Sequence, residues 1–277
     1  MTRAHTEFIQ TQWLPWQTDT LFPHLKGVTH RVLSRDDETG CVTALLRFPA
    51  GWVANDLPPC TLHEEIYVLD GAVNFNGVSF PADYYGCLPA GFPRHRATAA
   101  QGCVALAFYT AAEVSPADGF EHKRWVPRTD VFSAIWPPAE PAHGLDLAAH
   151  RARARVLATD PASGAQTLIA GYPPVWHAST IETQTVDAEF YLLAGECVLS
   201  GRGTMRPGAY IWRPKGAPRV PMAARTGSVF LIRSHDGALA FEATGSGTAD
   251  LVAAPDCLIP PDLAARLIDG PYAKATA

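Results

Sequence analysis

The chain carries nearly the same text twice. Arg31-Val-Leu-Ser-Arg-Asp-Asp-Glu-Thr-Gly-Cys-Val-Thr43 and Arg155-Val-Leu-Ala-Thr-Asp-Pro-Ala-Ser-Gly-Ala-Gln-Thr167 stand 124 positions apart. In that register Pro49 falls on Pro173 and Trp52 on Trp176, and 8 of the 22 aligned pairs are identical. Ordinary amino-acid usage would give roughly one or two. The register continues through Glu65-Ile-Tyr-Val-Leu-Asp-Gly71 and Glu189-Phe-Tyr-Leu-Leu-Ala-Gly195. After a one-residue slip it matches Pro89-Ala-Gly-Phe-Pro-Arg94 with Pro214-Lys-Gly-Ala-Pro-Arg219. A repeat of this length exceeds any solenoid unit and implies two copies of a whole domain. The copies can therefore be compared position by position.

The elements are short strands. Runs rich in Val, Leu, Tyr and Phe are punctuated by Gly, Pro and Asp, the pattern of a β-sandwich or barrel rather than a parallel α/β sheet. Strands are predicted over 30–34, 41–48, 64–70, 72–76, 84–88 and 103–110, and again over 154–158, 165–171, 188–194, 196–200, 209–213 and 228–234. Asp36-Asp-Glu-Thr-Gly40 reads as a turn and Asn76-Gly77 as the tip of a hairpin. The predicted domains are 8–125 and 126–250, followed by a tail, 251–277. Between the copies Trp136–Pro141 reads as extended, with a short helix in the Ala-rich 147–154. In the tail, 260–270 has helical spacing with an early Asp and a Gly stop.

Composition removes several classes. A net charge of -5 without a long basic run gives no general attraction for nucleic acid or an anionic membrane. No stretch approaches the roughly 18 apolar residues of a spanning helix. The opening Met1-Thr-Arg-Ala-His-Thr-Glu-Phe8 lacks the apolar core of a secretory signal. Cysteines 41, 60, 87, 103, 197 and 257 are scattered, with no Cys-x-x-Cys. Reduced thiols and a cytoplasmic location are expected.

Both copies resemble the cupin family, antiparallel jelly-roll barrels whose mouth usually holds one metal ion. The family's first motif runs Gly, five residues, His-x-His, three or four residues, Glu, six residues, Gly. Gly51, Glu64 and Gly71 stand at this spacing. Its second motif opens with Pro-x-Gly, matched by Pro89-x-Gly91 and Pro214-x-Gly216. Leu14-Pro-Trp16, the Thr-Gly turn, Glu64-Glu-x-Tyr-Val-Leu-x-Gly71 and Pro89-Ala-Gly91 are similar to two-domain cupins of the ChrR and acetylacetone-dioxygenase types. The resemblance spans residues 13–242 and implies an all-β pair of tandem barrels. It is more specific for fold than for reaction, because such folds host many chemistries.

The departures matter most. Leu57 and Pro59 occupy the His-x-His positions and Arg94 the third His position. Copy two has Ala188 at the Glu position and Arg219 at the last His position, so it is expected to be metal-free. In copy one His63 and His95 lie one residue from ligand positions. One-residue offsets on regular strands send side chains to opposite faces, but a bulge relaxes this. If His63, Glu64 and His95 converged they would form a two-His-one-carboxylate set suited to iron(II), with zinc or manganese as alternatives. The competing reading makes both imidazoles hydrogen-bonded rim residues and Glu64 or Glu65 an exposed strand-start carboxylate. Arg94 and Arg219 recur after Gly-x-Pro, which favours a structural clamp; Arg94 could instead grip a carboxylate. Trp52, Trp176 and Tyr191 read as packing, Tyr67 as a candidate pocket hydroxyl, and Cys60 as an inert thiol without a pKa-lowering partner.

Three functions stay open. The first is a metal-dependent, dioxygenase-like oxidoreductase acting on a small enolisable ketone or phenol, with Glu64, Arg94 and Tyr67 assisting. The second is a non-catalytic small-molecule binder with a decayed metal site. The third is a metal-free isomerase or lyase with Glu64 as base and Arg94 as electrophile. A small-molecule ligand is expected in each case, with self-association as a homodimer through sheet edges.

Overall fold

The computed structural model describes residues 3–18, 21–22, 24–111, 119–137, 152–178 and 180–247. The helix expected at 147–154 and the tail helix at 260–270 lie outside the described residues, apart from 152–154, of which 153–154 open a strand. All longer described elements are strands, and they form two units.

In the front unit one sheet runs Val126–Asp130, Tyr84–Leu88, Leu62–Phe75, Cys103–Ala111, Val42–Phe48, Thr29–Arg35. The strands predicted at 64–70 and 72–76 are a single element, Leu62–Phe75. Its first half pairs within this sheet. After a register shift between Val68 and Asp70 its second half turns to pair with Val78–Pro81 and Arg94–Ala99, and the latter pairs with Trp52–Leu57. One strand thus serves both faces of the barrel. Asn76 (φ 53°) and Gly77 (φ 86°) make the expected two-residue turn between Phe75 and Val78. Asp36 Oδ1 accepts from the Glu38 and Thr39 N–H groups in the other expected turn. Four strands of this unit escape the sequence reading: Trp52–Leu57, Val78–Pro81, Arg94–Ala99 and Val126–Asp130. They are short or carry charged residues, so apolar alternation does not announce them.

Alternation sets what fills the barrel. Ala44, Leu46 and Phe48 point inward from one strand, Ile66 and Val68 from the next, and Ala105, Ala107 and Tyr109 from a third. The rear unit repeats the plan. Its six-stranded sheet runs Thr6–Gln10, Ala209–Arg213, Ala188–Gly195, Ser228–Ser234, Gln166–Tyr172, Arg153–Thr159. Four- and three-stranded sheets complete it around Phe8, Tyr172, Trp176, Phe190 and Phe230.

Two domain boundaries differ from expectation. Val126–Asp130 pairs with Tyr84–Leu88, so the front unit extends to Ile135 rather than ending at 125. The stretch His5–Leu14 belongs to the rear unit, because Thr6–Gln10 pairs with Ala209–Arg213 and Phe8 enters that core. No helix among the described residues is long and apolar enough to cross a membrane. Cys41, Cys60, Cys87, Cys103 and Cys197 are buried and outside any disulfide.

The glycine that closes each Glu-x-Tyr-x-Leu-x-Gly repeat has a steric reason. Gly71 (φ 71°) and Gly195 (φ 77°) are left-handed, and an added Cβ would sit 2.2 Å from Gly102 O and 2.0 Å from Gly227 O. Backbone cannot retreat as a flexible side chain can. Gly71→Ala is therefore expected to destabilise the front barrel by at least about 1–3 kcal/mol, read from a urea midpoint. An unchanged midpoint would show that the strand turn relaxes freely.

Candidate functional site

The front site begins with strand phase. Along Leu62–Phe75, Glu64, Ile66 and Val68 face the barrel interior, while His63, Glu65 and Tyr67 take the opposite face. Glu64 lies directly across from Tyr109. The Tyr109 hydroxyl donates to Glu64 Oε1 at 2.6 Å. Glu64 Oε2 lies 2.5 Å from Arg94 Nη2, and both side chains are at most 2% exposed. The approach is ionic rather than an aligned hydrogen bond, and Arg94 Nε and Nη1 are buried without a hydrogen-bond partner among the described residues. Arg94 opens the strand Arg94–Ala99 directly opposite Leu57, and its guanidinium lies 5.9 Å from the Phe75 ring centroid.

Beside this floor is a cavity of about 830 Å³. Its walls are mainly apolar, including Phe22, Val42, Leu57 and Leu62, and its polar edges include His24, Cys60 and Tyr109. His24 Nε2 is buried without a hydrogen-bond partner among the described residues. Burial lowers the His24 pKa; the Glu64 carboxylate opposes this and the Arg94 guanidinium adds to it, so the imidazole is neutral at pH 7. Burial and then Glu64 raise the Cys60 thiol, which stays protonated. The same two causes raise Tyr109 well above its ordinary value. The buried part of the cavity therefore meets neutral hydrogen-bonding groups backed by one self-compensated ion pair, while the exposed Lys26 and Asp56 also line it.

The predicted metal set is not brought together. His63 is buried, but its Nδ1 accepts from the Ala90 N–H at 3.0 Å, tying the Pro89-Ala-Gly91 turn to the outer face. His95 is exposed while the adjacent Arg94 is buried, and the His95 and Arg96 N–H groups both donate to Asn76 Oδ1, so the imidazole does not share the interior with Glu64. The bulge that could have reconciled the offsets lies between Val68 and Asp70, while pairing is continuous through His63, Glu64 and Glu65. No group of three or more His, Cys, Asp or Glu among the described residues is arranged to hold an ion. Glu64 has a guanidinium where a ligand set would place its cation, so these residues do not fit a metal centre. Tyr67 is corrected too, since its hydroxyl donates to Asp83 Oδ1 at 2.7 Å on the face opposite Glu64. Glu65 is buried rather than an exposed strand-start carboxylate and accepts from Tyr85 at 2.6 Å.

Two site residues escaped the sequence reading. Tyr109 was legible in principle: the alternation Cys103, Ala105, Ala107, Tyr109 phases it inward. His24 sits in an irregular stretch before the first sheet strand, and no periodicity marks it.

The rear barrel carries a related pair. Arg219 is buried against Glu182, its directly opposite residue, while Ala188 occupies the position of Glu64. Arg219 also donates to the Tyr172 hydroxyl and lies 4.4 Å from the Phe241 ring centroid. On the outer face Glu189 accepts from Tyr210 at 2.8 Å, repeating the Glu65–Tyr85 bond.

The described strands form two units of one duplicated plan, the fold of tandem jelly-roll barrels. Residues 4–113 match the family described as the ChrR Cupin-like domain. Among solved structures, a "putative dioxygenase" from Nostoc punctiforme aligns at 18% identity and TM-score 0.72, over 86% of this chain and 87% of that one. Protein Ylba of E. coli aligns at 14% identity and TM-score 0.59, over 84% and 93%. A variant of Bacillus subtilis oxalate decarboxylase aligns at 11% and 0.51, over 87% and 80%. At these identities the likeness is one of fold. No curated protein matches the chain.

Proposed function

We propose that the front barrel is a binding site for a small uncharged organic molecule, with an apolar body and one carbonyl or hydroxyl end, and that it works without an ion at the Glu64 position. The observation that carries this reading is the mainly apolar cavity whose more buried polar groups, His24, Cys60 and Tyr109, are neutral while the charge behind them is already paired, its charged lining residues Lys26 and Asp56 being exposed to solvent. A ligand charge carried past the exposed Lys26 and Asp56 into the buried part of the cavity would be uncompensated in a low-dielectric interior, which costs several kcal/mol. A carbonyl or hydroxyl would meet the unpaired His24 Nε2 without that cost. Of the three readings open to the sequence, this favours the small-molecule binder. The dioxygenase reading required His63, Glu64 and His95 on one ion, whereas His63 accepts from the Ala90 N–H on the outer face and His95 is exposed. The isomerase reading keeps one support, a neutral imidazole facing the cavity that can take or give a proton.

A matched ring series tests the proposal by ligand-observed NMR: acetophenone, phenol, benzoate and benzylamine. The neutral pair is expected to bind, with the charged pair at least about tenfold weaker. His24→Ala should weaken the neutral pair by up to about tenfold, the worth of one hydrogen bond. Ala54→Trp should abolish binding by filling the cavity. Preference for benzoate, or binding that survives Ala54→Trp, would sink the reading.

A further inference from the structure

The two barrels share a feature whose parts have moved relative to each other. Each buries one arginine at the same repeat position, Arg94 and Arg219, at 2% and 3% exposure. Each pairs that arginine with a buried glutamate, but the glutamates come from different strands. In the front barrel the acid is Glu64 on Leu62–Phe75, and the residue opposite the arginine is the apolar Leu57. In the rear barrel the acid is Glu182, which is itself the residue opposite the arginine, and the equivalent of Glu64 is Ala188. The separation between the arginine and its opposite residue is 37 positions in both cases.

We infer that the guanidinium is the retained cationic centre of each barrel, standing where the fold would otherwise place an ion, and that the glutamate is its counter-ion, interchangeable between two strand positions. The reasoning is electrostatic. A buried guanidinium cannot shed its charge as a lysine can, because its pKa lies far above neutrality. It therefore needs an acid within contact distance, though not from a particular strand. Two positions meet that need: the one across the strand pair, taken by Glu182, and the one on the neighbouring strand, taken by Glu64. Were the glutamate the retained element and the arginine its accessory, the acid would keep its place between copies. It is the acid that has moved. This inference concerns the charge centre alone and stands whether or not the cavity binds a neutral ligand.

Relocating the acid provides the test. Glu64→Ala leaves Arg94 buried without its counter-ion, and a fall in Tm of at least about 5 °C is expected. Adding Leu57→Glu, which gives the front barrel the rear arrangement, should recover at least half of that fall. The reciprocal exchange, Glu182→Leu with Ala188→Glu, should likewise recover stability over Glu182→Leu alone, so the inference stays testable if one pair fails to fold. Failure of both double variants to recover overturns it. Protein dialysed against manganese(II), iron(II) and zinc(II) is then analysed for metal. An equivalent of ion that is lost in Glu64→Ala overturns the inference; no ion, or one indifferent to Glu64, supports it.

Discussion

Arg94→Met is expected to destabilise the front barrel by about 3–5 kcal/mol, because it removes one member of a buried pair and strands the other. Glu64 would keep only the Tyr109 hydroxyl, and its second oxygen would face apolar surroundings. Hydrogen exchange along Leu62–Phe75 and Cys103–Ala111 reads the loss locally, where a global melt would average both units. The double variant Arg94→Met with Glu64→Leu should recover most of the stability, since a well-packed apolar pair often equals a buried ion pair. Loss of protection in the single variant, restored in the double, identifies stranded charge as the cause. A single variant with wild-type protection would mean that Glu64 finds another partner and that the ion pair does not hold the floor of the cavity.

Deleting residues 1–14 should unfold the rear unit. Thr6–Gln10 is an edge strand of that unit's main sheet, and Phe8 is a core residue at 3% exposure. The Glu7 carboxylate lies 2.8 Å from Arg213, whose side chain is 1% exposed. Thr11 Oγ1 donates to Gly208 O at 2.7 Å, and Gln10 Nε2 to Pro207 O at 2.9 Å. Losing a buried Phe costs about 3–5 kcal/mol and stranding a buried Arg about as much again. Together these rival the whole stability of an ordinary domain, roughly 5–15 kcal/mol. Exchange protection should disappear along Ala188–Gly195 and Ser228–Ser234 and persist along Cys103–Ala111. A deletion that leaves all three protected would refute the assignment of this strand.

Glu7 also gives a sign for pH. Burial alone would raise its pKa, but the charge and hydrogen bond of Arg213 outweigh that and hold it below its ordinary value. A carboxyl with a depressed folded pKa contributes stability that is complete above the ordinary carboxylate range and is lost as pH falls through the folded value. The rear unit should therefore weaken below about pH 4.5, and Glu7→Gln should flatten that part of its stability profile. A Glu7→Gln profile parallel to wild type would remove Glu7 from the acid transition.

The duplication, the barrel class and half of the described strands were legible because each rests on local pattern. Alternation marks Val42–Phe48 and Cys103–Ala111, Asn76-Gly77 marks a turn that needs left-handed residues, and repeated glycines mark the same close approach in both copies. Arg94 stood out as a departure at a ligand position and Glu64 as the residue that matched one. Their role did not, because a salt bridge between residues 30 apart depends on which strands become neighbours. Strand phase was also readable, and it argued against His63 and His95 joining Glu64. The bulge invoked to bring them together exists, but it falls six residues beyond His63, after Val68.

The amino-acid sequence by itself determined two barrels of one design, since the periodicity of side chains and the chirality of turns are properties of a few adjacent residues. Tertiary structure alone decided what each barrel encloses: a guanidinium held by Glu64 beside a cavity edged by His24 in one, a guanidinium held by Glu182 in the other, and a first strand that serves the second barrel. Those outcomes depend on through-space charge pairing and on which sheet edge is free to be covered, and neither has a local signature along the chain.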